Sequence, residues 1–180
     1  MYSVDFTALV ELASGREAVP SDAMSANPPR SLPFNNALDL AEFQSVHEIV
    51  TGMSDDGVVV WDKFDIAPFA ALMPSIATLD QFKTDAGEDD YIYRFVGQNL
   101  ETIAKRSLRK TSLREVLHGK NRDAILQEYG ATLTGRVPRA STGNVDISDL
   151  VWVRYLRFLY PVRTKTGVDR LLLFMLFAAP

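Results

Sequence analysis

The chain has 180 residues, 19 Lys plus Arg against 23 Asp plus Glu for a net charge of −4, no cysteine, and 47% hydrophobic content. That length and apolar content suit a single folded core and exclude an intrinsically disordered chain. The lack of cysteine excludes disulfides, thiolate zinc sites, Fe–S clusters and a cysteine nucleophile.

Residues 1–36 read as a flexible leader. One short helical stretch, Phe6 to Ala13, is followed by Pro20, Pro28, Pro29 and Pro33 set among Ser, Asn and Asp, which break periodic structure. Met1 to Asp5 carry an acid and no basic patch, and no apolar region follows, so no signal peptide is expected. The longest apolar run, Leu171 to Ala179, is about half of the ~20 residues a membrane helix needs. A cytoplasmic protein with no membrane partner is the expectation.

An amphipathic helix is predicted over 37–53, within a segment 37–57. Phe43, Val46, Val50 and Met53 step by three and four along one face, with Leu40 and Ile49 beside them. Asn36 is a candidate N-cap, and Ser54-Asp55-Asp56-Gly57 stops the helix. From residue 58 to 180 a second pattern begins. Val58 to Trp61 is a short apolar segment, Asp65 can cap a short helix running through Leu72, and Ile76 to Asp80 reads as a strand. The acidic stretch 85–90 reads as a hairpin loop before the strand Tyr91 to Val96, which Gly97 ends.

Two short helices, 99–104 and 113–117, precede a longer one, Asn121 to Thr134, with Ile125, Leu126, Tyr129 and Leu133 inward and Gly135 as its stop. Three strands close the chain, at 136–145, 150–162 and 168–178. This order predicts an α+β domain with an antiparallel sheet. Leu171 to Phe177 is apolar at every position, so both faces of that strand must be covered, one by the internal helices and the other by helix 37–53 or a second subunit.

The charge is divided unevenly. Residues 1–90 hold 4 basic and 16 acidic residues, net −12, and residues 91–180 hold 15 and 7, net +8. Complementary packing of the halves, or of two copies, accounts for this better than a nucleic-acid surface, which needs denser clustering.

Several motifs, taken together, resemble a known family. They are Trp61, Asp65 and Pro68, Leu72-Met73-Pro74, Tyr93-Arg94-Phe95-Val96-Gly97, and the stretch Leu108 to Glu115. Further on come Gly135 to Pro138, Leu159-Tyr160-Pro161 and Gly167-Val168-Asp169. Residues 58 to 178 resemble the PAS-like sensory domain found as a small stand-alone protein in alphaproteobacteria. Lys105 and Lys110 stand where that family usually has small residues. The resemblance implies a five-stranded antiparallel sheet with helices on one face, enclosing a pocket.

Catalytic chemistry has little support. His47 lies beside the apolar stripe of its helix and reads as packed or interfacial, and His118 reads as a helix-start residue. Neither belongs to a spaced ligand pair, so no metal site is expected, and no phosphate-cradling glycine loop or G-x-S-x-G elbow occurs. Lys105, Arg106, Arg109, Lys110 and Arg114 form a candidate anion site, although such a charged run is more often a solvated face; no aromatic residue joins them as a stacking platform.

Arg94 and Arg154 lie inside apolar strands and call for a carboxylate, carbonyls or a ligand anion, with Asp65 as a candidate partner for Arg94. Together with Tyr93, Trp152 and Phe174 they form the candidate ligand-binding set, although such aromatics are more often core. The function expected is a non-enzymatic PAS-type sensory or regulatory module that binds a small ligand or a signalling partner protein. It is expected as a homodimer joined through Phe43, Val46, Val50 and Met53. The alternative is a small α+β pocket enzyme of the cyclase or dehydratase kind, which would need a His–Asp pair in a cavity. No cofactor is specified by the sequence.

Overall fold

The apolar strand near the end of the chain is covered on both faces by the chain itself. The structure, a computed structural model, describes residues 29–38, 41–148 and 151–177. Its strands are β1 (Arg30–Leu32), β2 (Ser54–Asp55), β3 (Val58–Val60), β4 (Ile76–Lys83), β5 (Asp89–Val96), β6 (Arg139–Ser148), β7 (Val151–Arg163) and β8 (Val168–Phe177). The helices are α1 (Phe34–Ala37), α2 (Ala41–Gly52), α3 (Gln98–Ala104), α4 (Leu113–Val116) and α5 (Gly119–Gly135). The fold is α+β, with one sheet in the spatial order β1-β6-β7-β8-β4-β5. Each neighbour in that order is antiparallel, and β3 joins β7 in parallel through Val59–Val162 and Val60–Arg163. The five strands expected from the sequence correspond to β4 through β8, and β1, β2 and β3 extend the sheet beyond that number.

Side chains alternate across a strand, so each long strand supplies two cores. On one face Leu156, Phe158, Tyr160 and Val162 of β7 and Leu172, Phe174 and Leu176 of β8 pack with Phe43, Val46 and Val50 of α2. On the other, Tyr155 and Leu159 of β7 and Leu171, Leu173 and Met175 of β8 pack beneath Leu100, Leu113, Ile125, Tyr129 and Leu133 of α3, α4 and α5. Full burial of a Leu or Phe side chain contributes about 1.5–3 kcal/mol, which explains why an uninterrupted apolar strand is stable only between two layers.

The sequence-expected interface therefore needs correction. Phe43, Val46 and Val50 are buried within one chain, Phe43 completely so, and Met53 packs against the same core. The Phe43 ring lies 3.9 Å from the Phe158 ring and edge-on to Phe174 at 5.4 Å. These side chains serve the sheet, so they are not an outward seam for a second copy. Residues 30–37, placed by sequence mostly in the leader, also belong to this fold: β1 pairs with β6, and Phe34 stacks on Phe158 at 5.0 Å. The rest of the leader lies outside the described residues, apart from Pro29.

Local chemistry sets several boundaries. Ser112 opens α4 with a capping box, its hydroxyl accepting from the Glu115 N–H while the Glu115 carboxylate accepts from the Ser112 N–H. Asp65 accepts from the Ala67 N–H at 2.9 Å, starting only a single 3-10 turn over Ala67–Phe69. Helix α5 ends differently from expectation: Gly135 is its last residue, and Arg136 takes the left-handed conformation at φ 52°. Pro161 is tolerated inside β7 because it falls after the last β6 pair, Arg139–Leu159, and before β3 joins at Val162. No helix among the described residues is long and apolar enough to cross a membrane.

Candidate functional site

Among the described residues, Arg157 is the one arginine whose side chain is sealed inside the protein. Its position on β7 has the same parity as Tyr155 and Leu159, so it points toward α5, and only 2% of the residue is exposed. Burying an unpaired guanidinium would cost several kcal/mol, on the order of 3–5 for a pair that loses one member. The fold supplies partners from two elements. The Glu128 carboxylate of α5 accepts from one terminal nitrogen, the Tyr129 hydroxyl accepts from the other at 3.4 Å, and Ser141 of β6 accepts from Nε at 3.2 Å. The rings of Tyr129 and Tyr155 lie 5.2 and 5.3 Å from the guanidinium carbon, within cation–π range.

Four phenols, those of Tyr91, Tyr93, Tyr129 and Tyr155, belong to this buried layer. Burial pushes the Tyr129 hydroxyl up to about 12, and it raises Tyr91, Tyr93 and Tyr155 above the ordinary phenol value as well. All four therefore remain protonated donors at neutral pH. Burial works against the charge on Arg157, yet Tyr155, Tyr129 and Glu128 around it hold the guanidinium protonated. Tyr91 Oη and Glu128 Oε1 are buried with no hydrogen-bond partner among the described residues.

A second charged cluster lies at the outer side of the sheet. Asp80 of β4 accepts from Arg94 Nε at 2.7 Å and from Arg170 of β8, whose guanidinium carbon lies 4.2 Å from the Trp61 ring centroid. Burial alone would raise the Asp80 carboxyl, but the hydrogen bonds and charges of Arg170 and Arg94 outweigh it and hold it below the usual range. Arg94 is thus exposed and paired with Asp80 rather than Asp65. These pairs, with Arg114–Glu88 at 3.0 Å, join the acidic first half to the basic second half.

The ligand set expected from sequence does not converge. Tyr93 lies in the core beneath the helices, whereas Phe174 lies in the opposite core against α2, so the sheet separates them. Arg154 is exposed on β7 opposite Asn144, and the Trp152 side chain lies outside the described residues. In the anion candidate, Lys105, Arg106, Arg109 and Lys110 are exposed, and Lys105 and Lys110 take positive φ at 51° and 66°. Arg114 is drawn away to Glu88 and to the Asp89 carbonyl. The loop is held by Glu101, which accepts from the Ser107 hydroxyl and the Leu108 N–H, and by two backbone bonds: the Lys110 N–H donates to the Tyr93 carbonyl and the Tyr93 N–H donates to the Thr111 carbonyl.

His47 sits between Phe34 and Tyr160, with Nδ1 3.4 Å from the Tyr160 hydroxyl, and burial lowers its pKa. His118 is the exposed residue preceding α5 and makes no side-chain capping bond. No group of three or more His, Asp or Glu residues suited to a metal occurs among the described residues.

Arg157 and Glu128 are not among the residues that the sequence marks as candidates. A usable signal was present: Arg157 is flanked by Tyr155-Leu156 and Phe158-Leu159-Tyr160, and its strand parity places it on the same face as Tyr155. No protein-family model, no curated protein and no solved structure matches this chain.

Proposed function

We propose that this protein is a PAS-type sensory or regulatory module that works by binding rather than catalysis, with a small polar ligand held in the Arg157 cage. The reading is supported by five long antiparallel strands, β4 to β8, with α3, α4 and α5 all on one face, the arrangement that the resemblance implies. The observation that carries it is the pair of buried, unpartnered atoms, Tyr91 Oη and Glu128 Oε1, in the same layer as a sealed guanidinium. Buried polar groups without partners cost about 1–3 kcal/mol each, and a ligand that satisfies them recovers that loss. The non-enzymatic reading is supported by the histidines, one packed against aromatic rings and one exposed at a helix start.

Native mass spectrometry of the protein purified from its own host tests the proposal. A reproducible non-covalent adduct on the 20.0 kDa chain is expected. Tyr91→Phe, which removes the unpartnered hydroxyl and keeps the ring, is expected to alter adduct retention without unfolding the protein. A bare chain in every preparation would remove the ligand reading.

A further inference from the structure

The loop between α3 and α4 carries cations that no nearby acid neutralises. Lys105, Arg106, Arg109 and Lys110 are all exposed, and the ion pairs among the described residues include none of them. The five acids from Glu88 to Glu115 are each committed elsewhere. Glu88 holds Arg114, Asp89 holds Lys83, and Asp90 accepts from the Tyr91 and Arg114 N–H groups. Glu115 closes the capping box of α4, and Glu101 accepts from the Ser107 hydroxyl and the Leu108 N–H. Those two bonds, with smaller help from Arg109, hold the Glu101 carboxyl below its usual range.

The backbone under these cations is fixed. Leu108 is buried and anchors the loop between the pairs Lys105-Arg106 and Arg109-Lys110. The Thr111 N–H and hydroxyl both donate to the Leu108 carbonyl, at 3.0 and 2.6 Å, and the Lys110 N–H donates to the Tyr93 carbonyl of β5 at 2.8 Å. Lys105 and Lys110 hold the left-handed conformation, with φ 51° and 66°. That region favours glycine, and a strained side-chain-bearing residue there is a feature that clusters at functional sites. An anion bound here orders only side chains, so less entropy opposes it.

Four cations offer little to nucleic acid, whose affinity grows with the number of phosphates neutralised, and the run has no aromatic residue for base stacking. A long polyanion also meets the chain's net charge of −4. A short one feels chiefly the charges within a Debye length, about 8–10 Å. Arginine takes a carboxylate through two parallel N–H bonds, which adds direction to charge. We propose that the 105–110 loop docks a short acidic segment of a partner protein, with carboxylates on Arg106 and Arg109 and with Lys105 and Lys110 flanking them. This surface is separate from the buried Arg157 layer and does not depend on a ligand there.

A labelled octaglutamate peptide is the probe, and a thymidine octanucleotide is the polyanion of comparable charge. Fluorescence anisotropy with the full chain at low salt is expected to show saturable binding of the peptide that weakens as salt is added. Arg106→Ala combined with Arg109→Ala is expected to weaken it about tenfold. Circular dichroism should not change, because both side chains are exposed. Lys165→Ala, in the exposed turn before β8, is expected to bind as the wild type does. A carbodiimide, which couples a carboxylate to a lysine amine in contact with it, is expected to attach the peptide chiefly at Lys105 and Lys110 among the six lysines. Absence of saturable binding, a double variant that binds like the wild type, or coupling chiefly at other lysines overturns the proposal. So does tighter binding of the thymidine octanucleotide, which would make the loop a nucleic-acid site.

Discussion

Arg157 of β7 and Glu128 of α5 form a buried ion pair that ties the sheet to the helix covering it. The two ends are unequal: the arginine side chain is 3% exposed and the glutamate side chain 14%. A carboxylate at the rim of the layer can turn toward water when its partner is removed, but a guanidinium at the centre has no such path.

Glu128→Ala should therefore cost more than Arg157→Met. Removing the glutamate leaves a sealed cation and is expected to lower stability by about 3–5 kcal/mol. The methionine replaces the guanidinium with apolar volume among tyrosine rings and should cost less. Urea unfolding of the two variants measures the difference, and the reverse order would show that the carboxylate is the more confined charge.

Phe43→Ala is expected to cost about 3–5 kcal/mol, the range for a large aromatic removed from a filled core. Its ring is completely buried against Phe158 and Phe174 of the same chain. The loss should be the same at high and low protein concentration, because the contact is intramolecular. A loss that vanishes on dilution would return Phe43 to a subunit interface.

Much of the fold follows from local patterns in the sequence. Helix α5, strands β4, β5, β7 and β8, and the need to cover both faces of β8 are all visible in period and composition. The site is less legible in the sequence because its residues are brought together by register. Tyr93 and Phe174 are both strand aromatics, yet the pleat sends them to opposite cores. Arg94 looks internal by sequence but lies near a β-bulge in the β4–β5 ladder, where Asp80 reaches it. Arg157 and Glu128 are 29 residues apart and meet only when α5 folds over β7. No local pattern encodes that contact.

Two glycines have spatial roles that alanine should expose. Gly97 has ordinary backbone angles, φ −74° and ψ 151°, so conformational freedom does not explain it. A Cβ there would lie 2.3 Å from the Met73 carbonyl oxygen and 2.4 Å from that of Pro74, both backbone atoms. At Gly143 a Cβ would meet the Tyr155 hydroxyl at 2.6 Å, part of a side chain that can shift. Overpacking of this kind costs about 1–3 kcal/mol. Gly97→Ala should fall at or above the top of that range, and Gly143→Ala below it. Thermal unfolding ranks the two, and equal costs would mean that the β4–β5 end yields as readily as a side chain.

The tyrosines provide a test of the buried layer as a whole. Five of the six, Tyr91, Tyr93, Tyr129, Tyr155 and Tyr160, have hydroxyls raised chiefly by burial, and Tyr2 is outside the described residues. An acid whose folded pKa lies above its unfolded value contributes stability that is fully present below the unfolded value, about 10 for a phenol. That stability declines as pH rises above 10, because the unfolded chain releases those protons while the folded chain retains them. Alkaline titration followed by phenolate absorbance should thus show at most one tyrosine ionising near pH 10 in the native protein. The other five should ionise together, in one cooperative step that coincides with loss of the circular dichroism signal. A gradual titration of several phenols near pH 10 with the secondary structure intact would mean that water reaches the layer, and the Arg157 cage would then be an open site rather than a sealed one.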